Sequence, residues 1–147
     1  MMDKPPWKRA REVGYHGPFV CVDGVLIEGG KVLLIDRALP PLGWAIPGGH
    51  LEYEEEPRQG CARELLEETG LHVRVGALVG YTNEFPGRPA GAHNVTLSFM
   101  VHREDSNESS RPGDDAKAVN WFPLDGIPEL PMPQNLETLR RARQLHE

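Results

Sequence analysis

The sequence predicts a single α/β domain with a mixed β-sheet. Two observations lead to this reading. Short apolar runs broken by glycine and proline alternate with two helical patterns, in the order β-rich, helix, β-rich, helix. The length, 147 residues and 16.4 kDa, is about that of one domain and is enough to bury a core without staples. No internal repeat or linker divides the chain, so residues 1–16 are expected as an arm and 17–147 as one domain.

The arm is polar and contains prolines. Phe19–Val22 and Val25–Ile27 read as strand. Glu28-Gly29-Gly30-Lys31 reads as a hairpin turn, where glycine supplies positive φ. Val32–Ile35 is the returning strand, and its unbroken apolar run implies burial on both faces. Ala38–Gly43 is a loop. Trp44–Ile46 is a short strand that Pro47-Gly48-Gly49 is expected to stop. Residues 57–69 form a helix with Pro57 in its first turn, Glu54, Glu55 and Glu56 at the positive end of its dipole, and Gly70 just past its end. His72–Tyr81 and Asn94–His102 are long strands, with polar loops expected over Thr82–Ala92 and Arg103–Asp115. Ala118–Phe122 is a last strand. Asn135–His146 is a helix expected to pack through Leu136, Leu139 and Ala142.

Composition narrows the function. Apolar residues make up 39% and charged residues 26%, which places the chain among globular proteins. No apolar run is long enough to span a bilayer, and the first dozen residues lack a signal peptide's apolar stretch, so a cytoplasmic protein without a membrane partner is expected. A formal net charge of −6 argues against a nucleic-acid partner. Cys21 and Cys61 sit inside apolar patterns and read as two reduced core thiols. No Cys/His cluster has zinc spacing.

The negative charge is concentrated. Between Gly49 and Leu71 seven acids face two bases, a local net of −5. With about 100° per residue, Glu64, Glu67 and Glu68 fall within one turn on one face, while Cys61, Ala62, Leu65, Leu66 and Thr69 occupy an apolar face beside it. Like charges at these spacings destabilise a helix. A hard divalent cation would relieve them, and carboxylate oxygens are the ligands Mg²⁺ accepts. On helix geometry alone, a cation site and a solvated acidic face both remain open.

The same segment resembles a known family. Gly49, five residues, Glu55, seven residues and then Arg63-Glu64-Leu65-Leu66-Glu67-Glu68-Thr69-Gly70-Leu71 match the Nudix box, nine fixed positions across 23 residues. Trp44–Gly48 resembles the strand leading into the box. Gly113–Lys117 and Trp121–Leu124 resemble the family's second half, so the likeness covers roughly residues 18–130. It implies an α/β/α sandwich and a hydrolase (MutT-like) of nucleoside diphosphates linked to a further moiety. It also implies Mg²⁺ or Mn²⁺ held by Glu64, Glu67, Glu68 and the carbonyl of Gly48. Glu67, Glu64, Arg63 and Glu52 form the implied catalytic set. Glu55 and Arg63 hold loop and helix together, and Gly49, Glu55 and Gly70 complete the structural box. Relatives commonly carry glycine where this chain has Glu54, so the turn there is expected to use a strained non-glycine conformation.

The segment Arg88–Thr96, with the GDDA stretch at Gly113–Ala116, is most similar to the ADP-ribose pyrophosphatase branch. Ala92 and Asn94 depart from that branch's usual pattern. Arg37, Trp44, Glu84, Arg88 and His93 are the substrate-binding candidates. Trp44 also reads as core or pocket wall and His93 as a structural histidine, while Asp114 and Asp115 read either as turn residues after Pro112-Gly113 or as residues that position water. The expected reaction is ADP-ribose to AMP and ribose 5-phosphate. A nucleoside triphosphate pyrophosphohydrolase and a catalytically silent nucleotide-sensing module are the alternatives. A homodimer is among the expected assemblies, with the arm available to exchange between copies.

Overall fold

Ten elements follow one another in the computed structural model, which describes residues 12–85, 93–113 and 115–146. They are β1 (Phe19–Val25), β2 (Ile27–Glu28), β3 (Lys31–Arg37), β4 (Gly43–Ala45), β5 (Gly48–His50), α1 (Pro57–Thr69), β6 (Val73–Glu84), β7 (Asn94–Arg103), β8 (Ala116–Pro123) and α2 (Gln134–His146). The first sheet has the order β5-β1-β7-β6. Within it β1 and β7 run parallel, while the other pairs are antiparallel, so the sheet is mixed as expected. In the second sheet β3 pairs antiparallel with β2, β4 and β8.

Two apolar cores follow from strand alternation. Val22 on β1 and Phe99 and Val101 on β7 meet Cys61 and Leu65 of α1. Val25 and Met100, on the opposite face of the same strands, meet Ile46 and the α2 residues Leu139 and Ala142. Strand β3 divides between the cores, Leu33 in the first and Val32 and Leu34 in the second. Its continuous apolar run is therefore buried on both faces, as its sequence implied. Cys21 and Cys61 are buried and unpaired, and burial pushes both thiols up to about 12.

Four expectations need correction. Pro47-Gly48-Gly49 does not end strand structure, because Gly48–His50 forms β5 against Cys21–Asp23. Two glycines give no strand signal of their own, and here the neighbouring strand supplies the order. Thr82–Glu84 belongs to β6 and not to a loop, since Thr82, Asn83 and Glu84 pair with Thr96, Val95 and Asn94. Leu66 lies outside the packed face of α1 and is 40% exposed. Helix α2 is rotated relative to expectation. Asn135, Thr138, Leu139 and Ala142 are buried, whereas Leu136 is exposed. The rotation follows from a polar anchor, because Asn135 Oδ1 accepts the buried Ile46 N–H at 3.0 Å. An unpaired amide there would be costly.

Candidate active site

Helix α1 begins where the sequence places it. Glu56 is its N-cap and accepts from the Arg58 and Gln59 amides, and Pro57 occupies the first turn. At the far end Gly70 takes the left-handed conformation, φ 74°, and donates its N–H to Leu66 O. The loop that delivers the chain into α1 carries Glu54 at φ 60°. The sequence leads one to expect a non-glycine conformation here, but Glu54 instead occupies the left-handed region that glycine favours, which disfavours a side chain by roughly 1–2 kcal/mol.

Arg63 is the hub of the acidic face. Its Nε and Nη2 donate to Glu55 at 2.7 and 2.9 Å. Its Nη1 donates to Glu64 at 2.8 Å and to Glu67 at 3.1 Å. Nη2 also donates to His50 O at 3.1 Å, and Glu52 lies 3.6 Å from Nε. One guanidinium thus joins the turn before α1, the end of β5 and one turn of the helix. The bidentate grip holds the Glu55 carboxyl below the usual carboxylate range, and the same bond raises Arg63 further still. Glu55 Oε1 also receives the Glu52 N–H, which fixes the turn.

Glu68 points the other way. It is buried, and its Oε1 accepts the Gly48 N–H at 2.6 Å. The glycines of β5 make room for this approach. A Cβ on Gly49 would stand 2.6 Å from the Glu64 carboxylate, and one on Gly48 would stand 2.3 Å from Val22 O. Burial raises the Glu64 carboxyl to about 7 and the Glu68 carboxyl to about 8, with Glu64 adding to the rise at Glu68 and Asp115 adding to both. Arg63 and the Gly48 amide oppose these rises without cancelling them. Glu67, whose side chain is 56% exposed, stands at the solvent side of the group.

Among the described residues no three acidic, histidine or cysteine side chains are arranged to hold a metal ion as they stand. The hydrogen bonds explain why. Glu64 and Glu67 each give an oxygen to Arg63, and Glu68 gives one to Gly48. The donor chemistry nevertheless fits a hard divalent cation, because Glu64 and Glu68 crowd together largely out of solvent and the nearby arginines compensate only part of their charge.

A comparison of the sequence with known families settles its membership, since the model of the NUDIX domain matches residues 17–142. The chain belongs to the NUDIX family. An ADP-ribose pyrophosphatase of Methanocaldococcus jannaschii is 35% identical over 118 residues, covering 79% of this chain and 68% of that protein. Diphosphoinositol polyphosphate phosphohydrolase 2 of Rattus norvegicus is 44% identical over 117 residues, covering 77% of this chain and 63% of its own length. Among solved structures, a MutT NUDIX hydrolase of Burkholderia pseudomallei superposes with a TM-score of 0.76 at 25% identity, covering 85% of this chain and 98% of that one. The chain is thus a NUDIX hydrolase. No helix among the described residues is long and apolar enough to cross a membrane.

The remaining candidates scatter around the NUDIX box. Arg37, at the end of β3, donates to the carbonyls of Leu39, Pro40 and Pro41, so its guanidinium holds its own loop. Its charge still steadies the carboxylates of Glu68 and Glu84. Trp44 packs edge-on against Phe122 at 4.7 Å and borders the second core. His93 stacks on Phe85 at 5.0 Å, and its backbone joins His16 O and the Phe19 N–H. Glu84 is buried at the end of β6. Arg88 and Asp114 lie outside the described residues. Asp115 ties the second half to β3 through its carbonyl, which accepts the Ala38 N–H at 3.0 Å. Sequence reading passed over Asp23 and Ser98, two polar residues in apolar strands that prove to be buried. Their signal was an acid and a hydroxyl inside a strand pattern.

Proposed function

We propose that this chain is a divalent-cation-dependent NUDIX hydrolase that cleaves the diphosphate of ADP-ribose, yielding AMP and ribose 5-phosphate. The observation that carries the reading is the Arg63-centred carboxylate group folded against the Gly48–Gly49 strand. The ADP-ribose pyrophosphatase relative supports the choice of substrate.

In this reading Glu64, Glu67 and Glu68 hold the cation, with the Gly48 carbonyl as a further oxygen. Mg²⁺ or Mn²⁺ suits such oxygen donors. When bound, the cation supplies Lewis acidity toward the phosphoryl oxygens and the attacking water. The protein's residues do the rest. Glu67, the most exposed of the three, accepts the proton from the water as it attacks phosphorus. Arg63, anchored by Glu55, keeps the turn, β5 and α1 in register so that the carboxylates converge. Glu52 adds a carboxylate at the outer edge. The diphosphate bridge breaks, and its oxygen leaves on one phosphoryl product.

The decisive experiment compares ADP-ribose with deoxynucleoside triphosphates under Mg²⁺. ADP-ribose should be preferred on the order of 10²-fold in kcat/KM, about 2.7 kcal/mol of discrimination. A triphosphate processed better than ADP-ribose would replace this substrate with the pyrophosphohydrolase reading. Absence of turnover for every compound would favour a sensing module. A second substrate reading has its own support in the diphosphoinositol polyphosphate phosphohydrolase relative. It belongs in the same assay.

A further inference from the structure

Two of the three carboxylates that the proposed function gives to the cation, Glu67 and Glu68, lie in the last turn of α1, which ends at Thr69. A helix frays there, because its final carbonyls find no partner inside it. In this chain the partners come from beyond the helix. Gly70 N–H closes on Leu66 O, and the loop 104–113 supplies the rest, Arg111 N–H to Thr69 O and Gly113 N–H to Glu68 O. The Arg111 side chain also lies over Gly70, where a Cβ would stand 2.7 Å from its Cγ. The chain then runs on to Asp115, whose charge reaches both Glu64 and Glu68.

The loop has little packing of its own. No residue from 104 to 113 is buried. A polar hollow of about 250 Å³ opens between the middle of the loop and the side chains of Leu71 and Trp121. Hydrogen bonds must therefore hold the loop down, and they converge on Glu108. Its Oε1 accepts the His72 N–H at 2.6 Å, and its Oε2 meets His72 Nδ1 at 2.8 Å. Its carbonyl accepts from Arg103 Nη1 at 2.8 Å. Arg103 is itself fixed, with Nε and Nη2 on the Glu28 carboxylate and its guanidinium over the Trp121 ring. The bonds from His72 hold the Glu108 carboxyl below the usual carboxylate range. At its start the loop returns to the same residue, since Glu104 N–H donates to His72 O at 3.0 Å. Glu108 thus joins the middle of the loop to the chain just past α1 and to the end of β7.

We propose that Glu108 is a positioning residue: by latching the loop 104–113 to His72 and Arg103, it holds the last turn of α1 so that Glu67 and Glu68 stand ready together. This deepens the proposed function and rests on the reading that these carboxylates hold a divalent cation. The carboxylate of Glu108 is spent on His72, so the residue acts through the backbone of the loop and not as a ligand.

The test uses the full chain in wild type, Glu108→Ala and Glu108→Gln. Glutamine can keep both bonds, its oxygen accepting the His72 N–H and its NH₂ donating to Nδ1, whereas alanine keeps neither. Thermal melts set a temperature at which all three are folded. Mn²⁺ titration without substrate, followed by electron paramagnetic resonance, should show binding about tenfold weaker in Glu108→Ala and within about threefold of wild type in Glu108→Gln. Hydrogen exchange at the Glu67 and Glu68 amides should quicken about tenfold in the alanine variant alone. With ADP-ribose and saturating Mg²⁺, kcat should fall about tenfold in Glu108→Ala while KM stays within about threefold, because the latch touches no substrate. Wild-type Mn²⁺ affinity and kcat in Glu108→Ala would overturn the proposal even if Tm falls, since the latch would then serve stability alone. Equal losses in Glu108→Gln would overturn it as well, because charge and not the two bonds would be responsible. A wild type that binds no Mn²⁺ would overturn the proposed function and the role of Glu108 with it, an outcome seen before any variant is compared.

Discussion

Glu67 and Glu54 both belong to the acidic segment, and both are exposed. Replacing either by glutamine removes one charge and weakens the long-range field equally. Their local settings differ. Glu67 shares the Arg63 Nη1 with Glu64, whereas Glu54 sits in the turn before the helix at φ 60°. Glu67→Gln should therefore lose roughly 10²–10⁴-fold in kcat, the range of a general base or a key electrostatic group. Glu54→Gln should stay within about tenfold. Steady-state kinetics on both variants decide the matter, and equal losses would reduce the segment to a diffuse anionic patch. At this scale the sequence was informative wherever a short spacing defines the geometry. Glu55, Arg63, Glu64 and Glu67 meet because box spacing and helical pitch bring them together. Arg37 and His93 were less readable, because their partners are backbone carbonyls, amides and a ring that leave no pattern in the sequence.

Helix α1 depends on the loop 104–113, distant in sequence, for its C-terminal end. Its last carbonyls lack partners within the helix. Arg111 N–H donates to Thr69 O at 2.7 Å, and Gly113 N–H donates to Glu68 O at 3.1 Å. Gly113 fits only because it lacks a side chain, since a Cβ there would stand 1.7 Å from Glu67 O. Gly113→Ala should lift this loop from the helix, remove both bonds and lower stability by about 2 kcal/mol. Denaturant melts beside wild type measure this, and an unchanged midpoint would show that the cap adds nothing. The same dependence explains what was legible among the elements. Helix α1 and strands β3 and β7 declared themselves through local pattern. Strand β5 and the end of β6 did not, because the order of Gly48–His50 and Thr82–Glu84 comes from strands far away in the sequence. The facing of α2 was misread for the same reason, since Asn135 answers to Ile46 across 89 positions.

For the whole molecule, the buried acids set how stability varies with pH. Burial raises Asp23 and Glu64 to about 7 and Glu68 to about 8, above the values these groups have in an unfolded chain. The folded state therefore holds more protons than the unfolded one across this interval. Their contribution is fully present below the unfolded pKa, near 4.5 for the glutamates. It is lost as pH rises through about 7–8. Glu55 acts in the opposite sense, and its contribution is lost as pH falls below the usual carboxylate range. In chelator, Tm should thus decline from about pH 5 to about pH 8. Millimolar Mg²⁺ should restore it most at the alkaline end, where the carboxylates are ionised and free to bind. Calorimetric melts with and without the cation check both trends, and parallel curves would argue against a cation site among these acids. The order of elements predicted this architecture, but which acids would be buried depended on how the two sheets and α2 close over them.

Arg63 gives the acidic turn a built-in counter-ion. Small domains whose ligands repel one another until metal arrives cannot fold without it. Here the guanidinium already engages Glu55, Glu64 and Glu67 through ordinary hydrogen bonds. Such a counter-ion would uncouple chain assembly from the supply of the proposed cation. If the proposed cation site holds, a newly made molecule would reach its native shape in a cation-poor setting and wait there, intact but unloaded. On the proposed cation site, loading would be an exchange at the surface of a finished protein, in which Glu64 and Glu67 would trade a tethered organic cation for a diffusible inorganic one. Starvation for the ion and return of the ion would switch the same population of molecules off and on, with no round of unfolding between.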